Sequence, residues 1–107
     1  MKYLKSDLNK VIDYYGLDYR EGNGNYQLRT YCHHPDGSGN FKLYAYFDDD
    51  DSVNLYCYSS CGSMNLVGLI MHYKNCDYRT AQNELDMIVG LLGGGAYACY
   101  GVELGGC

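Results

Sequence analysis

Two short cysteine-centred segments carry the most chemistry in this sequence, Cys32-His33-His34 and Cys57-Tyr58-Ser59-Ser60-Cys61-Gly62. Three thiols and one imidazole can close a tetrahedral zinc site, because thiolate sulfur and imidazole nitrogen are donors that zinc prefers. Cys57 and Cys61 are separated by three residues, within the range of a metal-binding knuckle. Four protein ligands leave no open position for a catalytic water, so one bound Zn2+ would be a structural staple. No nucleophile, general base and orienting carboxylate can be assembled elsewhere in the chain, and a thiol committed to a metal is lost as a free nucleophile. We therefore expect no catalytic residues and no enzymatic activity.

The elements that must position these ligands can be read along the chain. Ser6 or Asp7 is placed to cap a first helix through Leu8, Val11, Ile12 and Tyr15, which Gly16 would end. After a turn at residues 21–25, Tyr26 to Tyr31 reads as a strand delivering Cys32. A loop from Pro35 to Asn40 leads to two strands, Phe41 to Phe47 and Val53 to Tyr58, joined by the acidic run Asp48 to Asp51. That run lacks the interleaved spacing of a calcium loop and reads as a solvated hairpin tip. Ser63 is then placed to cap a helix from Met64 to about Tyr73, and Asp77 one from Arg79 to about Val89. The expected fold is α+β, a small zinc-ribbon-like antiparallel β-sheet flanked by three helices. Residues 1–90 would form the domain and residues 91–107 a glycine-rich extension.

Strand parity bears on the ligand set. If Tyr26, Leu28 and Thr30 share a face, the alternation sends Cys32 and His34 to that side, as it does Val53, Leu55 and Cys57 on the later strand. Cys32, Cys57 and Cys61 are thus the expected thiol ligands, and parity favours His34 over His33, although a turn at Pro35 would allow either imidazole to face inward. His72 and Cys76 read as a surface residue and a small buried apolar residue.

Parity also defines the opposite face. Placing Phe41, Leu43, Ala45 and Phe47 inward puts Lys42, Tyr44 and Tyr46 outward, with Tyr56 and Tyr58 beside them and Arg29 and Tyr31 joining from the preceding strand. Tyrosines interleaved with cations form a surface on which unpaired bases stack without sequence preference. The formal net charge of −5 excludes strong non-specific binding to a polyanion, so any nucleic-acid contact must be local. The N-terminus lacks an apolar secretory core and no apolar run is long enough to span a bilayer, which predicts a cytoplasmic protein with no membrane partner. In that compartment six cysteines read better as ligands than as a disulfide framework.

The order of a helix ending in Tyr14-Tyr15-Gly16, a strand, the Cys-His segment, a hairpin, Cys57-Tyr58-Ser59-Ser60-Cys61-Gly62-Ser63-Met64 and an amphipathic helix resembles the zinc-binding domain of bacterial and phage DnaG-type DNA primases. The resemblance covers about residues 5 to 90. It implies zinc held by a Cys-His pair and a Cys-Cys-Gly pair, and a part in engaging single-stranded DNA template during replication. The first pair here is tighter and the second longer than the family pattern, which implies a divergent, phage-type member. No acidic polymerase motifs accompany it. The alternative reading is an acidic protein-interaction module, an inhibitor or adaptor on the same scaffold, whose partner would be the replication machinery or a basic target protein.

Overall fold

Leu8, Val11 and Ile12 fall on one face of α1 (Lys5–Tyr15) and are buried, which is what fixes this helix to the rest of the chain. The structure, a computed structural model, describes residues 3–93, with side chains described through Gly90. The helix begins earlier than expected: Leu4, two residues before Ser6 and three before Asp7, occupies the cap position, and the Asp7 carboxylate accepts the Leu4 backbone N–H at 2.9 Å. Gly16 ends it in the left-handed region at φ 68°, where a side chain would be strained.

Five antiparallel strands follow in a meander, β1 (Tyr19–Glu21), β2 (Asn25–Leu28), β3 (Leu43–Phe47), β4 (Val53–Cys57) and β5 (Gly62–Met64), each bonded to the next in chain order. The fold is α+β, as expected. Both edge strands were missed in the sequence because they are only three residues long and show no alternation of polarity. The register aligns Tyr19, Leu28, Leu43, Cys57 and Gly62 in one row across the sheet, and Arg20, Gln27, Tyr44, Tyr56 and Ser63 in the next. Alternate rows face opposite sides.

Helices α2 (Leu66–Lys74) and α3 (Tyr78–Gly93) complete the described residues. Because β5 takes up residues 62–64, Ser63 does not cap α2; Asn65 does, its side chain accepting the Gly68 N–H at 2.8 Å. Asp77 caps the start of α3 as expected, accepting the Thr80 N–H at 2.8 Å. The third helix runs to Gly93, past the expected end near Val89, so it enters the stretch read as an extension. The remainder of that stretch, with Cys99 and Cys107, lies outside the described residues.

All three helices contribute to one core on a single face of the sheet. Leu28, Leu43, Ala45, Val53 and Leu55 from the strands meet Leu8 and Val11 of α1, Leu66, Leu69 and Ile70 of α2, and Ala81, Leu85 and Ile88 of α3. Burying each of the leucine, isoleucine and valine side chains is worth about 1.5–3 kcal/mol relative to leaving it in water. The opposite face carries Tyr44, Tyr46, Tyr56 and Tyr58, of which the last three are exposed. No described helix is long and apolar enough to cross a membrane.

Candidate metal centre and the tyrosine face

At the end of the β3–β4 hairpin away from the acidic tip, two loops bring Cys32, His33, Cys57 and Cys61 together, one donor atom from each lying within 4.8 Å of every other. The His33 Nδ1 stands 3.2 Å from the Cys61 sulfur and 3.5 Å from that of Cys32. A tetrahedral ion with metal–sulfur bonds of about 2.3 Å and a metal–nitrogen bond of about 2.0 Å requires sulfur–nitrogen separations of about 3.5 Å. The donor set therefore fits a metal ion in both chemistry and spacing. Cys32 and Cys57 are buried, whereas His33 and Cys61 are half-exposed.

The imidazole in the cluster is His33, which corrects the expectation for His34. Alternation requires an extended chain, and here β2 ends at Leu28. The backbone then turns, with the N–H groups of His33 and His34 both donating to the Thr30 carbonyl at 3.1 and 2.9 Å. A tight turn lets adjacent side chains Cys32 and His33 point the same way, and it leaves His34 exposed, edge-on to the His33 ring at 4.9 Å. The turn is clamped from behind by Gly39, where a Cβ would collide with the Thr30 hydroxyl, and by the Thr30 N–H donating to Asn40 at 2.9 Å.

The second pair is shaped by its own backbone. Residues 58–61 turn, and Gly62 at φ 74° returns the chain to the sheet as β5. Burial pushes the Cys57 thiol up, but the N–H groups of Ser60, Cys61 and Ser59 aimed at its sulfur outweigh burial and hold it below the ordinary thiol value. Cys32 moves the other way, raised by burial first and then by sharing hydrogen bonds with Cys61 and Cys57. Such a grouping of sulfurs without a cation favours protons on some of them; a bound divalent ion would instead stabilise thiolates. His72, exposed on α2, and Cys76, partly buried against the core, line a cavity beside Cys32 and are not in the donor cluster.

Behind Cys57 the sheet presents its other face. Tyr44 and Tyr46 stack at 5.8 Å, Tyr44 and Tyr58 meet edge-on at 5.1 Å, and Tyr56 and Tyr58 lie 4.7 Å apart. The Tyr46 and Tyr58 hydroxyls share a 2.7 Å hydrogen bond, which with lesser help from burial pushes the Tyr46 hydroxyl up to about 12. Tyr31 does not join this face. It is buried, its hydroxyl accepting the Asp18 N–H at 2.7 Å and its ring meeting Tyr73 edge-on, because the chain has left the sheet before it. Arg29 sits at the rim but is neutralised by Asp18 at 2.9 Å, and it also donates to the Gly39 carbonyl.

Phe41 was expected inward and lies instead on the tyrosine side, since β3 starts only at Leu43. The guanidiniums of Arg20 and Arg29 each lie 4.5 Å from its ring centroid. Arg20, Phe41 and Lys42 join Tyr44, Tyr46 and Tyr58 around a groove of about 510 Å³. Arg20 belongs to the strand that the sequence did not reveal, so no alternation pattern could have found it. The acidic run forms an exposed hairpin tip at the opposite end of β3 and β4, as expected.

No family model matches this chain, and neither a curated protein nor a solved structure matches it.

Proposed function

We propose that the protein is a zinc-stapled module that binds single-stranded nucleic acid on its tyrosine face, in the manner of the primase zinc-binding domain that its motif order resembles. The observation that carries this reading is the position of the helices. All three pack on the other side of the sheet, and among the described residues this leaves Tyr44, Tyr46, Tyr56 and Tyr58 as a continuous aromatic surface, half-buried at Tyr44 and exposed at the other three. An aromatic sheet face bordered by cations is suited to stacking unpaired bases, each stack contributing about 1–3 kcal/mol.

Cys32, His33, Cys57 and Cys61 would hold the ion. Zinc is favoured over harder cations because three of the donors are sulfur. With every position taken by protein, the metal supplies cohesion between the loop that follows β2 and the turn that follows β4. It keeps the knuckle end of the tyrosine face in register, and it offers no site for activating water.

The test is twofold. Purified protein under reducing conditions should contain one zinc per chain and lose its folded circular-dichroism signal on chelation. It should also bind a single-stranded oligonucleotide with an affinity that falls in a Tyr44/Tyr56/Tyr58 triple alanine variant. Tight binding to a basic protein with no binding to single strands would favour the acidic interaction module instead.

A further inference from the structure

The groove at the knuckle end of the tyrosine face has a composition that a stacking surface alone does not require. Its aromatic walls are Phe41, Tyr44, Tyr46 and Tyr58, and its remaining lining residues are Arg20 and Lys42. Arg29 next to it is already paired with Asp18. Arg20 is held by the neutral Gln27, donating to its side-chain oxygen at 3.1 Å, and by the Phe41 ring. Among the described residues neither Arg20 nor Lys42 has a carboxylate partner.

Two uncompensated cations in an acidic protein, placed beside aromatic rings, define the chemistry of the occupant. An aromatic box without cations would suit a quaternary ammonium group, but Arg20 and Lys42 would repel one. A plain apolar ligand would leave both charges without a partner. A group with a flat aromatic part and an attached anion satisfies both halves, the ring against tyrosine and the anion on guanidinium and ammonium. At about 510 Å³ the groove lies within the range of small-ligand sites.

We propose that this groove is a nucleotide subsite, in which Tyr44 and Tyr58 hold one base and Arg20 and Lys42 hold its phosphate. The subsite rests on the reading of the face as a nucleic-acid surface and narrows it, assigning the phosphate contacts to one end. The acidic tip at residues 48–51 repels phosphate from the other end of the hairpin. The nucleotide is either part of a single strand or a free nucleoside phosphate; the chemistry recognised is the same.

The experiment titrates the zinc-loaded full chain with a short single-stranded oligonucleotide, with adenosine monophosphate, with adenosine and with inorganic phosphate. Binding is followed by amide chemical-shift changes across a series of salt concentrations. An Arg20→Gln/Lys42→Gln variant is expected to lower oligonucleotide affinity and to flatten its salt dependence by about 0.7 in log–log slope, the share of the one phosphate that the two cations hold. Tyr44→Ala is expected to weaken binding roughly 5- to 150-fold, the equivalent of one lost stack. Retained circular dichroism and zinc content establish that both variants fold.

If the oligonucleotide binds and the Arg20/Lys42 variant binds equally well with the same salt slope, the subsite is refuted while the single-strand reading stands. Binding of adenosine monophosphate but not of the oligonucleotide supports the subsite for a free nucleotide and removes the single-strand reading. Equal shifts with adenosine and adenosine monophosphate overturn the phosphate contacts. No shift with any probe overturns both proposals.

Discussion

Cys57 and Tyr58 are neighbours in sequence and belong to two regions built on opposite principles. The cysteine side is closed: Cys57 is buried, its sulfur is met by backbone N–H groups, and three further donors crowd around it. The tyrosine side is open: Tyr58 is 57% exposed, and its side-chain contacts are with other tyrosines of the same face. A group surrounded on every side contributes to stability, because removing it strands its partners. One packed only sideways adds little to folding and keeps a face free for something else. The two-residue period of β4 lets the same strand serve both regions, and each can be broken without the other.

The largest effect is expected at the cluster. Cys57→Ser removes one of the four donors proposed to hold zinc, and structural zinc in small domains contributes on the order of 10 kcal/mol to folding. The variant should be largely unfolded at room temperature by circular dichroism, whereas Tyr58→Ala should stay folded and lose less than about 1 kcal/mol. His33→Ala should release the metal on dialysis and His34→Ala should retain it, as read by metal content; the reverse result would show that the loop closes differently around the ion.

A smaller separation is expected one register position further along. Leu55 is 1% exposed on the core side, and truncation to alanine should cost about 2–5 kcal/mol by chemical denaturation. Tyr56, 42% exposed on the other side, should cost under about 1 kcal/mol on the same truncation while weakening oligonucleotide binding. Equal losses of stability at both positions would mean that the tyrosine face is a second core.

The smallest effect concerns the hydroxyl pair. The folded value for Tyr46, about 12, lies above its ordinary value of 10.0. A raised acid favours the folded state while protonated, so this contribution is complete below pH 10 and is lost between pH 10 and 12. Tyr58→Phe should return Tyr46 towards its ordinary value, as measured by tyrosinate absorbance, with little change in stability at neutral pH.

How much of this was legible follows from how long the backbone stays extended. Within β3 and β4 alternation assigned Leu43, Ala45, Val53, Leu55 and Cys57 to one face and Tyr44, Tyr46 and Tyr56 to the other, and the structure agrees. Beyond strand ends the same rule became unreliable, placing Cys32, Lys42 and Tyr58 correctly and three others wrongly. It sent His34 inward, Tyr31 outward and Phe41 to the core, because much of residues 29–42 turns and a turn does not keep the two-residue period. The short edge strands, and Arg20 with them, left no periodic trace at all.

The sequence by itself determined the donor types at Cys32, Cys57 and Cys61, the α+β character and the tyrosine-rich side of the hairpin, since these depend on residue identity and local alternation. The tertiary structure decided that His33 completes the donor set, that all three helices share one face, and that Arg20, Phe41 and Lys42 meet around one groove. Those outcomes depend on where loops close and which face becomes crowded, and both are set by contacts between residues far apart in the chain.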